Sequence, residues 1–134
     1  MDEIDQSILK ILKENSRKSY TEIADNLEVS EGTVRNRVKK MKEEEIIEKF
    51  TVELSENSFK AVAMFEVSVD ADIRSLIEEF PEDMEINEVT GEFDIVVVFA
   101  RESPEKINSV LDNIREMEGI ESSKTYTVLK TTKK

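Results

Sequence analysis

The chain contains no cysteine and no histidine, and each absence excludes a class of chemistry. Without cysteine, it has no disulfide framework, no thiolate nucleophile and no cysteine-ligated zinc. Without histidine, it has no His–Ser or His–Cys catalytic pair, no imidazole metal site and no imidazole whose charge changes near neutral pH.

Long apolar runs are also missing. The longest one, Ile95 to Ala100, has six residues, whereas a membrane-spanning helix needs about 20. The first five residues, Met1 to Asp5, include three acids and lack the basic start and apolar core of a signal peptide. These features predict a soluble protein that acts in the cytoplasm.

Basic residues are in the minority. The 134 residues include 19 Lys and Arg against 31 Asp and Glu, which gives a net charge of −12. Because nucleic acids and acidic membranes attract basic surfaces, this balance argues against a general binder of either kind. The charge is unevenly distributed, however. Residues 1–50 carry 10 basic and 12 acidic groups, a net charge of −2, and residues 51–134 carry 9 and 19, a net charge of −10.

The pattern of the sequence changes where the charge changes. The chain is long enough for one ordinary domain or for two small ones that share their stability. We expect a helical domain over residues 1–50, a linking strand or hinge over 51–58, and a second domain over 59–134. The linker prediction depends on an extended pattern from Ile46 to Leu54.

The first two helices have clear start signals. Apolar residues at helical spacing predict a helix from about Glu3 to Asn15, with Asp2 as its N-cap. A shorter helix is predicted from about Tyr20 to Leu27. Ser19, with Glu22 three residues later, forms the capping box that begins it.

The third helix completes a recognizable unit. It is predicted from about Glu31 to Glu44, with Ser30 as its N-cap, and it turns Val34, Val38 and Met41 to one side. Two short helices joined by a tight turn are typical of a helix-turn-helix unit. The N-terminal domain is therefore predicted to be winged-helix-like, with the third helix as its recognition helix.

The second half alternates strands and helices in the order βαββαβ, which is the ferredoxin-like arrangement of an α+β fold. One helix is expected to begin after Asp72 and to end before Pro81. The other begins at Ser103-Pro104 and ends at Gly119. The four predicted strands are Phe59–Val69, Met84–Thr90, Phe93–Ala100 and Ser122–Lys130.

The third helix is strongly basic within an acidic chain. Residues 30–42 carry five basic residues and one acid, Glu31, a local net charge of +4. Arg can donate two bonds to guanine, Asn can pair with adenine, and Thr can contact the thymine methyl group. Hydroxyls and free N–H groups at the start of the second helix could bind phosphate. The predicted DNA-binding residues are Ser19, Tyr20, Thr21, Ser30, Gly32, Thr33, Arg35, Asn36, Arg37, Lys39 and Lys40.

Two alternatives to DNA contact stay open for this helix. Its basic face could be solvated and simply balance the acids Glu43 to Glu45. Arg37 lies only about 60° from the buried stripe, so it could pair with an acid of the first helix instead.

The central strands predict self-association. Phe93, Ile95, Val97 and Phe99 point one way, and Val96, Val98 and Ala100 point the other way. A strand that faces solvent would alternate with polar residues. Since both helices of a ferredoxin-like domain cover one face of the sheet, the second apolar face needs another cover. The simplest cover is the same face of a second copy, and the alternative is that the N-terminal helices fold back over it.

The order of these motifs resembles the Lrp/AsnC family of leucine-responsive, or feast/famine, regulators over nearly the whole chain. The matching positions lie in the first three helices and in the turn Thr90-Gly91-Glu92-Phe93-Asp94. Two positions differ, because Glu28 and Glu45 stand where the family usually has Gly after a helix. A non-Gly residue with positive φ costs on the order of 1 kcal/mol, which leaves differently shaped turns open. The matching residues are Asp2, Asp5, Ile8, Leu9, Leu12, Ser16, Arg17, Glu22, Ile23, Ala24, Leu27, Val29, Ser30, Thr33, Val34, Arg37, Val38, Met41, Ile46 and Ile47.

The resemblance implies a transcriptional regulator that binds double-stranded DNA as a homodimer, tetramer or octamer. It implies that the second domain is a RAM-type domain for oligomerization and for a small-molecule effector, often an amino acid, with no other cofactor and no metal. The effector pocket would lie near Gly91 and Asp94, with Thr90 adjacent and Ser122 and Thr125 as weaker candidates. The alternative is that Gly91 and Asp94 are ordinary hairpin-turn residues.

Two other functions have some support in the sequence. Carboxylate pairs such as Glu78/Glu79, Glu82/Asp83 or Glu92/Asp94 could hold Mg²⁺, but no nucleophile or phosphate-cradling loop accompanies them, so we do not predict an enzyme. The second alternative is a small-molecule-binding or oligomerization module whose helical domain does not bind DNA.

Overall fold

A computed structural model describes residues 1–53 and 58–134 of the chain. Its backbone contacts divide the chain into two compact units, Met1–Leu54 and Ser55–Lys134. Within the described residues, no helix is long and apolar enough to cross a membrane.

The N-terminal unit contains three helices, α1 (Glu3–Glu14), α2 (Tyr20–Leu27) and α3 (Glu31–Glu43). These bounds agree with the predicted ones to within one residue. Asp2 and Ser19 begin α1 and α2 with capping boxes, and the Ser30 hydroxyl accepts a hydrogen bond from the Thr33 backbone N–H at 3.1 Å. The buried residues of the unit form one apolar cluster: Ile8, Leu12, Ile23, Ala24, Val34, Val38 and Met41.

Glu28 and Glu45 occupy left-handed turns after α2 and α3, with φ of 56° and 57°. After α3, the Glu45 N–H donates to the Lys42 carbonyl at 3.1 Å and the Ile46 N–H donates to the Met41 carbonyl at 2.9 Å. This pair of bonds is the Schellman motif, which usually places Gly at the left-handed position. The turn after α2 has the same pair of bonds. The idea of differently shaped turns is therefore wrong, because the backbone keeps the left-handed geometry with glutamate in it.

The predicted linking strand is wrong for the part of it that the structure describes. Residues 46–53 have no strand, although Ile47 packs against the N-terminal core. An extended sequence pattern indicates a conformation, but a strand also needs a neighbouring strand with which to exchange hydrogen bonds. The remaining positions of the predicted linker, 54–57, lie outside the described residues.

The C-terminal unit has the predicted βαββαβ order: β1 (Phe59–Val67), α4 (Ile73–Glu79), β2 (Met84–Glu88), β3 (Ile95–Arg101), α5 (Pro104–Arg115) and β4 (Ile120–Thr127). Its single sheet has the order β2-β3-β1-β4, and all neighbouring strands are antiparallel. The fold is therefore α+β with a ferredoxin-like second domain, as predicted. The first two strands end two residues earlier than predicted, and β3 begins two residues later.

Helix α5 ends at Arg115, not at Gly119 as predicted, because a tight turn ends it first: the Met117 N–H donates to the Ile114 carbonyl at 3.1 Å. Gly119 lies in the turn before β4 with φ of 104°. A Cβ at this position would lie 2.9 Å from the Cβ of Ala71 and 3.3 Å from Leu76. The close packing of this turn against α4 therefore requires glycine.

The two faces of the sheet have different surroundings. One face packs against the helices, where Phe65, Ile95 and Val97 are fully buried. Val62 and Val98, which are register partners on the opposite face, are only half-buried. Half-buried apolar residues and an exposed Tyr126 continue that second face, hereafter the open face: Val62, Met64, Val96, Val98, Ala100 and Tyr126.

Phe93 is the one exception to the predicted alternation of the third strand. The Lys124 ammonium group lies 5.8 Å from the centre of the Phe93 ring, and Lys124 pairs in register with Met64 of the open face. Phe93 therefore lies on the open-face side and not with Ile95. The reason is that β3 begins at Ile95, so strict alternation does not extend back to Phe93.

Candidate nucleic-acid interface and effector region

Helix α3 presents a basic surface on the side opposite its buried stripe. Val34, Val38 and Met41 are buried against the N-terminal core, with at most 2% of their surface exposed. The side chains on the opposite side are exposed, and Thr33 is half-buried. The exposed positions are Gly32, Arg35, Asn36, Lys39 and Lys40.

Two ion pairs lie along α3, each between residues one turn apart. Near the start of the helix, Arg35 donates to the Glu31 carboxylate. Near its end, the Lys40 ammonium lies 3.9 Å from the Glu44 carboxylate. Both pairs are largely exposed to water, so each stabilises the helix only slightly.

Arg37 has a different environment from the other basic residues of α3. Its guanidinium donates to the carboxylate of Asp2, which caps α1, and lies 3.4 Å from that of Asp5. The hydrogen bond from Arg37 is the main reason why the pKa of Asp2 falls from 3.8 to about 2, and the same bond raises the pKa of Arg37. Arg37 therefore pairs with acids at the start of the first helix.

Gly32 leaves the surface of α3 without a side chain, although the fold has space for one there. A Cβ at this position would have the Ser30 hydroxyl, 4.0 Å away, as its nearest neighbour. Glycine within a helix is less favourable than alanine by up to about 1 kcal/mol. The missing side chain therefore costs stability, and no close packing contact among the described residues requires it.

The hydroxyl residues at the helix starts are placed as caps. Ser19 accepts from the Glu22 N–H at 3.1 Å, so its own O–H stays available as a donor. Thr21 is exposed, and Tyr20 packs partly against the core. The Ser30 and Thr33 hydroxyls bond to each other at 2.8 Å, which leaves them fewer bonds for another molecule.

Thr90, Gly91 and Asp94 share one loop between β2 and β3. The Asp94 carboxylate accepts from the Val67 N–H at 2.8 Å, and the Asp94 N–H donates to the Phe65 carbonyl at 2.9 Å. These bonds tie the loop to β1. Gly91 is exposed with φ of 137°, a conformation that L side chains rarely adopt. Asp94 therefore has a structural role in this unit, and sequence reasoning did not predict its bond to β1.

Ser122 and Thr125 lie on opposite faces of β4, so the structure does not bring them together. Ser122 donates to the Glu66 carboxylate at 2.8 Å. Thr125 accepts at 3.1 Å from Arg115 of α5, on the helix side of the sheet. The odd spacing of the two residues within a strand was the signal for this separation. Glu66 and Arg115 were absent from the predicted site, and only the strand register reveals them.

Among the residues that the structure describes, no group of three or more Asp and Glu side chains is placed to hold a metal ion.

Comparison with known proteins accounts for both units. Residues 1–42 match the model of the AsnC-type helix-turn-helix domain, and residues 61–134 match that of the Lrp/AsnC ligand binding domain. The chain is 35% identical to the HTH-type transcriptional regulator LysM of Saccharolobus solfataricus over 98% of this chain and 95% of the relative. It is 33% identical to the HTH-type transcriptional regulator FL11 of Pyrococcus horikoshii, over 99% and 92%.

The structures of related proteins agree with the sequence comparison. The solved structure of AsnC from E. coli superposes with a TM-score of 0.88 at 27% identity, over 98% of this chain and 93% of that one. The similarity therefore extends over both the helical unit and the sheet unit.

Proposed function

This chain belongs to the Lrp/AsnC family of DNA-binding transcriptional regulators, and on that premise we propose how its own residues bind DNA, a second copy and an effector. The family consists of transcriptional regulators and not of enzymes. The observation that carries the proposal is the exposed basic face of α3, which lies opposite a buried stripe in an acidic chain. The cytoplasmic location predicted above fits a protein whose ligand is genomic DNA, and it stays a prediction.

We place α3 in the major groove of DNA. The bare Gly32 backbone allows a close approach, and Arg35 and Asn36 follow it one turn later with side chains suited to guanine and adenine. Lys39 and Lys40, farther along the helix, are suited to phosphates. Because the net charge outside this helix is strongly negative, DNA is repelled from most other surfaces, so binding elsewhere on the chain is expected to be weak.

Residues at the start of α2 and in the middle of α3 have supporting roles. Ser19 and Thr21, at the start of α2, are proposed to bind phosphate together with the free N–H groups of the first turn. Arg37 is not proposed as a base contact, because Asp2 and Asp5 already hold its guanidinium. Its role is to connect the start of α1 to the recognition helix.

The open face of the sheet is proposed as the dimer interface. Its half-buried apolar residues sit around the paired Val62 and Val98, and an apolar patch of this kind is stabilised by removal from water. A second copy related by a two-fold axis presents the same patch. Two copies then present two α3 helices to half-sites about 34 Å apart on the DNA.

The effector is proposed to be a small molecule, of the amino-acid class, bound beside the loop of Thr90, Gly91 and Asp94. The match to a ligand-binding domain supports the existence of an effector. The exposed Gly91 backbone admits a close ligand, and the Asp94 oxygen that does not bind Val67 could accept a bond from an ammonium group. Ser122 and Thr125 would meet the same ligand only if two faces of β4 contribute, so they are not part of this proposal.

Selection of bound duplexes from random DNA by the full chain tests the proposal, with and without a pool of amino acids. We expect one preferred site with two-fold symmetry, and an affinity that falls steeply as salt is raised because phosphate contacts release counterions. The double variant Arg35→Ala, Asn36→Ala should lose the preference, whereas Lys10→Ala on α1 should retain it. Selection of no sequence in either condition would contradict the proposed DNA interface.

A further inference from the structure

The recognition helix begins with an acid that pairs with a base one turn later. Glu31 is the first residue of α3, and its carboxylate accepts a hydrogen bond from the Arg35 guanidinium. It is the one acid among residues 30–42, a segment with five basic residues. An acid on the DNA-binding helix weakens its general attraction to phosphate, so the position of this one calls for a physical reason.

We propose that Glu31 is a positioning residue for base recognition, an inference that rests on the proposed function. Glu31 holds the Arg35 guanidinium toward the start of α3 and away from phosphate oxygens. Arginine has a long side chain with many rotamers, and ordering it before DNA binds lowers the entropy lost on binding. The bond to Glu31 uses one N–H of Nη2, and a guanidinium has five, so the N–H groups needed for guanine O6 and N7 are retained.

The surface next to this ion pair is open at Gly32. Gly32 lies one turn before Arg35 and Asn36, and a Cβ there would have the Ser30 hydroxyl, 4.0 Å away, as its nearest neighbour. The side chains of Arg35 and Glu31 are 64% and 38% exposed, so the pair lies at the surface where DNA would arrive. Glu31 is therefore proposed to orient Arg35 on the exposed side of α3, one turn after the bare Gly32 backbone.

A simpler role for Glu31 predicts a different result. An acid in the first turn of a helix stabilises that helix through its dipole, and this effect would change protein stability without changing which bases are preferred. Lys40 and Glu44 provide a control, because Lys40 of α3 forms a looser pair of the same spacing with Glu44, the C-cap of that helix. Glu31→Gln and Glu44→Gln each remove one negative charge, so both should raise the affinity for random DNA to a similar degree.

The test measures the affinity of the full chain for the duplex that the wild-type protein selects and for each of its single base-pair variants. The proteins are the wild type, Glu31→Gln, Glu44→Gln, Arg35→Ala and the double variant Glu31→Gln, Arg35→Ala. Arg35→Ala identifies the base pair that Arg35 reads. A whole bidentate contact supplies about 5- to 150-fold discrimination. Because an exposed ion pair of this spacing stabilises only slightly, we expect Glu31→Gln to lower discrimination at that base pair about two- to fivefold. The double variant should lose no more than Arg35→Ala alone.

Three results would overturn the inference. Glu31→Gln could leave discrimination at that base pair unchanged, Glu44→Gln could lower it equally, or the loss could be as large in the Arg35→Ala background. If Arg35→Ala alters no base preference while the wild-type protein still selects a site, then the role of Arg35 is wrong and this inference fails alone. If the wild-type protein selects no site, the proposed function fails as well.

Discussion

Glu45 is expected to destabilise the N-terminal unit through its backbone conformation, and Glu45→Gly should reverse this. Its φ of 57° places it in the left-handed region, where a residue with a Cβ costs roughly 1–2 kcal/mol. Glycine removes that cost but adds about 0.4–1 kcal/mol of backbone entropy to the unfolded chain. The net expectation is that the free energy of unfolding rises by about 0.5–1 kcal/mol, which corresponds to a thermal midpoint higher by about 2–8 °C.

The neighbouring residue provides the control for Glu45→Gly. Glu44 has φ of −85° and ψ of 5°, an ordinary conformation, so Glu44→Gly removes the same charge without relieving any strain. It should lower the free energy of unfolding by about 0.5–1 kcal/mol. Glu45→Gln removes the charge and keeps the strained backbone, so it should change stability little.

Tyrosine fluorescence can report on the N-terminal unit alone. The chain has two tyrosines and no tryptophan, so in a Tyr126→Phe background Tyr20, in α2, is the only tyrosine left. Thermal unfolding would be followed at this residue in the full chain for each variant. If Glu45→Gly lowers the midpoint as much as Glu44→Gly does, the left-handed turn is not a source of strain and the argument fails.

Three further predictions follow from other contacts. Gly32→Ala should raise the free energy of unfolding by about 0.5–1 kcal/mol, because a Cβ meets no close neighbour. The same variant should bind DNA more weakly, and parallel unfolding and DNA titrations check both effects. Unchanged affinity would remove Gly32 from the interface. The pKa of Asp2 is about 2 in the folded chain against an ordinary 3.8, so Asp2 stabilises the fold above pH 4 and this contribution disappears as pH falls toward 2. In Asp2→Asn, the unfolding midpoint reported by Tyr20 should therefore fall less steeply between pH 4 and pH 2 than in the wild type. An equally steep fall in both proteins would contradict this prediction. Val98→Lys should convert the proposed dimer to a monomer in sedimentation experiments, because it places a charge on the open face. Asn113→Lys, on the exposed side of α5, should not have this effect. A dimeric Val98→Lys chain would exclude this interface.

Local signals in the sequence were sufficient for the starts of the helices. Side-chain caps such as Ser19 and Ser30 act within a few residues of their own position, so the sequence predicted the starts of α2 and α3 correctly. The order of strands along the chain could also be predicted from the sequence, because the apolar runs are separated by clear turns. Strand ends were less accurate, since the last residues of a strand depend on whether a neighbouring strand reaches them.

The candidate sites were predicted only in part. The exposed face of α3 follows from helical periodicity, and the structure places Arg35, Asn36 and Lys39 on it as expected. The extended pattern after α3 suggested a strand, yet residues 46–53 have none. Ser122 and Thr125 were grouped by resemblance, whereas the pleat of β4 sends them to opposite faces.

The sequence by itself determined the family, the order of the helices and strands, and the basic surface of α3, because each depends on residues close together in the chain. Only the tertiary structure decided the partners of charged and polar groups that are distant in sequence. Arg37 could have contacted DNA or an acid of α1, and the packing of α3 beside the start of α1 brings Asp2 within reach. Asp94 could have been free for a ligand, and the sheet register places one of its oxygens on the Val67 N–H. Hydrogen bonds and ion pairs act over a few ångströms. The sequence pattern therefore identifies candidate partners, and the tertiary structure determines which of them come into contact.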